Sequence, residues 1–126
     1  SMANEWKMWV LCDREPISLW SRGRVTLLGD AAHPMLQYLA QGGCMAIEDA
    51  VVLARSLVEA KGDYNAAFLA YQQQRFLRTA RVQLTARMYG DVYHAADATR
   101  DLRRQMLAGR TPEQAYNGMA WLYDGI

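Results

Sequence analysis

Only two stretches of this sequence read as β-strands, and two lone strands do not hold a sheet. The first, Trp6 to Leu11, is apolar and aromatic through Trp6, Met8, Trp9, Val10 and Leu11. The second, Val25-Thr26-Leu27-Leu28, is a compact run of the kind that is buried on both faces. Cys12-Asp13-Arg14-Glu15-Pro16 breaks the first, because Pro16 donates no hydrogen bond and holds Glu15 extended. Ser21-Arg22-Gly23 reads as a turn. Partner strands must come from elsewhere. The expectation is therefore an α+β chain, mainly α, whose two short strands belong to an incomplete sheet in a piece of a longer protein.

From Met45 onward the period is helical. Ile47, Ala50, Val51, Ala54, Leu57 and Val58 recur on one face, with Glu48, Arg55 and Glu59 between them. Lys61-Gly62 stops that helix, with Gly62 suited to the residue just past the end. Asp63 can cap a second helix that runs at least to Met88 and, with a break near Gly90, to Leu107. Gly109 ends it. Thr111-Pro112-Glu113-Gln114 fits a capping box with proline at the first helical position, which predicts a last helix over about 112–122. The total is three or four helices. Arg75, Arg78, Arg81 and Arg87 fall on the long helix and read as a solvated basic face. Ser1-Met2-Ala3 reads as a tag remnant, leaving 4–126 as the fragment, with a strand–loop–helix unit over 4–60 and C-terminal helices over 63–126.

Composition excludes more than it assigns. With 126 residues there is room for one modest core, and a formal charge of +1 calls for neither nucleic acid nor an acidic surface as partner. Cys12 and Cys44 fit no metal spacing and no disulfide framework, so they read as reduced thiols in a cytoplasmic protein. No apolar run is long enough to span a bilayer. Strands without a sheet leave apolar surface uncovered, so self-association is expected.

The chemistry concentrates in RVTLLGDAAHPMLQYLAQGGCMAIEDA, positions 24–50. Gly29-Asp30 ends a strand with a bend and an exposed carboxylate, which suits the hydroxyls of a sugar or sugar alcohol. The plainer reading is that Asp30 caps the next turn. Gly42-Gly43 opens a helix, where glycine lets a flat ligand approach the backbone. The first amides of a helix lack internal partners and carry the positive end of its dipole. Together they make an anion site, although an isolated Gly-Gly is more simply a loop. His33 fits either an acid–base role or a brace for the loop, and the brace is the better reading.

Taken in order, the strand, Gly29-Asp30-Ala31-Ala32-His33-Pro34, the short loop, Gln41-Gly42 and Ala46-Ile47-Glu48-Asp49-Ala50 resemble the second flavin-contact motif of the class A flavin-dependent aromatic hydroxylases. Asp13-Arg14-x-Pro16 followed by Trp20 looks like the segment leading into that motif. Within the family, HPMLQYLAQG and RTPEQAYNGMAWLYDGI look most like the 3-hydroxybenzoate 6-hydroxylases, with the salicylate 1-hydroxylases close behind. The motif covers about the first half of the chain.

The resemblance implies the C-terminal part of a FAD/NAD(P)-binding Rossmann-like fold. Asp30 would bond the ribityl chain of FAD, with Gly29 giving it room, and Pro34 would lie near the isoalloxazine edge. Gly42 and Gly43, with the amides of Cys44 and Met45, would receive the pyrimidine end of the flavin. Relatives often carry asparagine where Cys44 stands, and the contact there is through backbone. Gln37 would position the phenol of the substrate, with Tyr38 and Leu39 lining the same pocket. The implied reaction uses NADH to reduce FAD and dioxygen to form a flavin hydroperoxide that hydroxylates a hydroxybenzoate, best matched by 3-hydroxybenzoate going to gentisate. No metal is implied. G-x-G-x-x-G, which holds the dinucleotide pyrophosphate, does not occur in the chain, and the family carries it and the usual catalytic base upstream. The chain alone is therefore expected to be inactive. Two rivals stand beside this reading: another ring hydroxylase of the family, such as one acting on salicylate, and a stand-alone helical interaction module.

Overall fold

The computed structural model describes residues 5–124. Ser1-Met2-Ala3, read as a tag remnant, lies outside them. The order is a two-stranded hairpin, β1 (Ser21–Arg22) and β2 (Val25–Thr26), then four helices: α1 (Gly42–Glu59), α2 (Tyr64–Tyr93), α3 (Asp97–Ala108) and α4 (Pro112–Tyr123). Two 3-10 turns, Gly29–Ala31 and Gln37–Leu39, fill the loop between β2 and α1. The mainly helical α+β class with two short strands agrees with the sequence.

The identity of the strands is partly different. Trp6 to Leu11 is not a strand. It runs without secondary structure, with Trp6 88% and Trp9 80% exposed. Strand structure needs a hydrogen-bonding neighbour, and no strand among the described residues pairs with it. The first strand is instead Ser21–Arg22, part of the expected turn. Its antiparallel register sets Ser21 opposite Thr26 and Arg22 opposite Val25. Gly23 turns the hairpin with φ +59°. The Leu27 amide then bonds the Trp20 carbonyl at 3.0 Å, which carries the extended chain toward the Gly29 turn.

Local signals set the helix ends. The chain leaves α1 through Lys61 and Gly62, both in the left-handed region at φ +48° and +100°. Asp63 caps α2 by accepting from the Ala66 amide at 3.0 Å. The break expected near Gly90 comes after Tyr93, and α3 starts at Asp97. Thr111 and Gln114 form the capping box of α4, with Pro112 in its first turn.

Packing of α1 on α2 organises the core. Trp20, Ala32, Val52 and Tyr71 form one buried cluster, joined by Ile17, Leu27, Leu53 and Phe76. Met45, Val82 and Leu122 form another, flanked by Met35, Leu39, Met119 and Trp121. Through the first cluster the hairpin is seated on both long helices, and through the second α4 is seated on α2. The buried stripe of α2 includes Tyr71, Arg75, Thr79, Gln83 and Ala86, so polar side chains share its inner face with apolar ones. That mixture is a sign that α2 buries specific bonds as well as apolar area.

Candidate functional site

Gly29 begins a tight turn at φ +58°, a conformation that costs a side-chain residue free energy. Its space is limited as well, since a Cβ there would sit 3.3 Å from the Ala46 Cβ on α1. The amides of Ala32 and His33 close the turn on the Gly29 carbonyl at 2.8 and 2.9 Å. Asp30 is exposed at the tip. Its Oδ1 lies 3.9 Å from where a Cβ on Gly42 would stand. Strand end and helix start, twelve positions apart in the chain, therefore adjoin in space.

The first internal bond of α1 runs from the Met45 amide to the Gln41 carbonyl at 2.9 Å. The amides of Gly42, Gly43 and Cys44 come before it and are the ones free to meet a ligand. Nothing stands within 4 Å of a Cβ placed on Gly43. Cys44 is exposed, whereas Met45 is fully buried and its amide is used within the helix. An outward carboxylate beside bare amides can bind hydroxyls on one side and an electron-rich edge on the other.

Between them, Pro34 is half-buried and its carbonyl accepts from Gln83 Nε2 at 2.9 Å. Gln37, Tyr38 and Leu39 share one 3-10 turn but face different surroundings. Gln37 is exposed. The Tyr38 ring lies against Gly90 and makes edge contacts with Tyr93 and His94, at centroid distances of 6.0 and 5.5 Å. Leu39 packs beside Met45, Val82 and Leu122. Ala40 leaves the turn in the left-handed region at φ +53°. Two grooves of about 920 and 640 Å³ lie among α2, α3 and α4, and neither is lined by Pro34, Gln37, Tyr38 or Leu39.

Behind the turn is a buried ionic network that the reading of α2 as a solvated face missed. Arg75 is closed off from solvent and donates through Nε to Asp49 Oδ1 at 2.7 Å and through Nη1 to Glu48 Oε2 at 2.6 Å. Arg78 makes two bonds to Glu48, both at 2.6 Å, and reaches the Trp121 carbonyl at 3.1 Å. Arg87 pairs with Asp13 and Glu15. Arg81 lies over the Trp121 ring, 3.8 Å from its centroid. The solvated reading is therefore corrected for Arg75, Arg78 and Arg87, whereas Arg81 is exposed as expected. Their partners lie far away in sequence, which hides them from local patterning. The available signal was Glu48-Asp49 on α1 set against Arg75 and Arg78, three apart, on α2.

Asp49 is the centre of the network. Its Oδ2 accepts from the Gly29 amide at 3.0 Å and lies 2.5 Å from His33 Nε2. His33 is buried against Trp20, so it braces the loop, as expected. Burial pushes the Asp49 carboxyl up, but the bonds from His33, Arg75 and the Gly29 amide outweigh it and hold the group below the ordinary aspartate value. Glu48 behaves alike: burial opposes ionisation, and Arg78 and Arg75 more than compensate. Burial and the nearby Asp49 charge push the Tyr71 hydroxyl upward.

A family model described as "FAD binding domain" matches residues 3–86. The 3-hydroxybenzoate 6-hydroxylase of Polaromonas naphthalenivorans is 53% identical over 118 residues, covering 94% of this chain and 30% of that protein. The 6-hydroxynicotinate 3-monooxygenase of Bordetella bronchiseptica is 53% identical over 77 residues, 60% of this chain and 20% of the relative. Among solved structures, Klebsiella pneumoniae HpxO complexed with FAD and uric acid superposes with a TM-score of 0.81 at 40% identity, covering 90% of this chain and 29% of that one. The chain thus spans about 30% of the length of the hydroxybenzoate relative and of this solved structure.

Proposed function

This chain belongs to the FAD binding domain family, and from that membership we propose that it supplies the flavin-contacting turn and the C-terminal helices of a FAD-dependent aromatic-ring monooxygenase. The observation that carries the reading is the Asp30 carboxylate beside the open start of α1 at Gly42. The residues present fit a flavin. Gly43 leaves open space, the amides of Gly42 and Cys44 flank it, and Asp30 is exposed for hydroxyls.

FAD, when bound, would supply the redox chemistry, taking reducing equivalents from NADH and delivering them to dioxygen. The tasks of this chain are binding, orientation and the exclusion of water. Asp30 accepts hydrogen bonds from the ribityl hydroxyls, in the space Gly29 leaves. The amides of Gly42, Gly43 and Cys44 stabilise negative charge at the pyrimidine end. Met45 anchors the start of α1 through its buried side chain, and its own amide stays with Gln41. Pro34 borders the ring. Gln37 has an exposed amide that can both donate to and accept from a phenol. Tyr38 and Leu39 hold the turn that presents it.

The substrate proposed is a hydroxybenzoate, best matched by conversion of 3-hydroxybenzoate to gentisate. The 53% identical relative of that name supports this choice. A second reading, a different hydroxylated aromatic acid, is favoured by the relative named 6-hydroxynicotinate 3-monooxygenase. The test is product analysis with the full-length protein, given FAD, NADH and oxygen, on 3-hydroxybenzoate, salicylate and 6-hydroxynicotinate. Gentisate from the first is expected. A product from one of the other acids alone would move the substrate, and no hydroxylated product from any of them would end the proposal. Asp30→Ala in the same protein should weaken FAD binding roughly ten- to a hundredfold, as expected for loss of a charge-assisted bond.

A further inference from the structure

We infer that Arg14 is a positioning residue for the flavin-contacting turn, working as one jaw of a clamp whose other jaw is Asp49. The inference rests on the flavin reading of that turn. Arg14 Nη2 donates to the Ala31 carbonyl at 2.6 Å and to the Ala32 carbonyl at 2.8 Å. Asp49 takes the other polarity, accepting the Gly29 amide and contacting the His33 ring. A cation thus holds the carbonyl side of the turn and an anion holds its amide side. Neither jaw uses an atom of Asp30, so the one residue at the tip keeps its carboxylate for a ligand.

The neighbours of Arg14 make this assignment specific. Asp13 and Glu15, on either side of it, are both bonded to Arg87. With these two adjacent acids engaged elsewhere, the guanidinium of Arg14 reaches across to backbone seventeen and eighteen residues away. Gln83 then ties the same two segments together, donating to the Arg14 carbonyl at 3.3 Å and the Pro34 carbonyl at 2.9 Å. Arg14 is only part-buried and Asp49 is buried in the core, so the two jaws differ in what their loss should do. Asp49→Asn leaves Arg75 facing a neutral amide and lowers stability as well as ligand binding. Loss of the outer jaw leaves the core intact and frees the turn to drift by the fraction of an ångström that matters to a bound ligand.

The experiment uses the full-length protein with Arg14→Met, which keeps the apolar stem without the donors, and Arg14→Lys, which can still reach one carbonyl. FAD affinity is measured by fluorescence titration, and the melting temperature is measured without FAD. The expected result for Arg14→Met is a loss of FAD affinity of about tenfold or more, with the FAD-free melting temperature unchanged, and partial recovery in Arg14→Lys. Wild-type FAD affinity in Arg14→Met would overturn the inference. So would a loss of affinity matched by a fall in FAD-free melting temperature and not relieved by lysine, since that pattern belongs to general stability. Asp30→Ala separates the two levels. If wild type binds FAD and Asp30→Ala weakens it while Arg14→Met does not, only the clamp fails. If wild type does not bind FAD, the flavin reading itself fails.

Discussion

Arg75 and Asp49 meet at 2.7 Å with both side chains closed off from solvent. A pair of this kind is costly to bury and costlier to break, because removing one partner leaves the other charged in the interior. Arg75→Met is expected to destabilise the protein by about 3–5 kcal/mol in urea titrations. The double variant Arg75→Met/Asp49→Asn should lose much less than the two single losses added together. Additive losses would show that the two side chains do not act as a pair.

The same network sets an acid limit. Glu48 and Asp49 both have folded-state values below their ordinary ones. Their contribution is fully present above the unfolded carboxylate range, near pH 4. As pH falls through that range the unfolded chain takes up protons first, and stability drops until the folded-state values are passed. Circular dichroism melts between pH 3 and 7 should show a flat region above about pH 5 and a steady fall beneath it. Glu48→Gln should flatten that fall. An unchanged acid slope in this variant would remove Glu48 from the account.

Tyr38 is seated on Gly90, where an added Cβ would come within 2.6 Å of its ring. Gly90→Ala must therefore displace the ring, at an expected cost of about 1–3 kcal/mol from overpacking. Tyr38→Ala in the same background should remove the clash and leave a second-site cost smaller than Tyr38→Ala has alone. Thermal melts of the four proteins in this cycle measure it, and additivity would mean that the contact does not govern the site.

Gln37 is exposed beside two packed neighbours in the same turn. In the full-length protein, Gln37→Leu should slow hydroxylation more than it weakens FAD binding and should divert NADH oxidation toward hydrogen peroxide. A misplaced phenol would miss its short reaction window. Oxygen uptake, peroxide and product are measured together. Coupling equal to wild type would remove Gln37 from substrate positioning.

The isolated chain should self-associate and retain no stoichiometric FAD. Trp6, Met8, Trp9 and Val10 are each at least 80% exposed, and surfaces of this kind find cover in one another. Light scattering at high concentration should give a dimer or larger species, and the purified chain should be colourless. A clean monomer mass, or a flavin spectrum at full occupancy, would contradict these expectations.

Features that depend on a few neighbouring residues were legible in the sequence. Asp63, the Lys61-Gly62 exit and the Thr111–Gln114 box all cap the helices they were expected to cap, because each acts within one turn. The adjacency of Asp30 and Gly42 could be anticipated from motif order, whereas the distances could not. Trp6 to Leu11 has the residue types of a strand, yet a strand exists only through a neighbour that its own residues do not specify. Arg75 and Arg78 look like surface residues until Glu48 and Asp49, about a quarter of the chain away, are brought beside them. Arg14 was visible as part of a motif, but a bond to backbone carbonyls leaves no trace in side-chain pattern.

α2 runs unbroken from Tyr64 to Tyr93. It grips the flavin turn indirectly at Arg75 and the Gln37 turn at Gly90, sites about four helical turns and roughly 22 Å apart along its axis. On the proposed reading of these two turns, α2 would serve as a gauge block between cofactor and substrate. Inserting or deleting one residue on this span would swing one grip about 100° around the axis relative to the other. Point changes should be able to alter which ring is admitted, while a change of length would separate the two halves of the site.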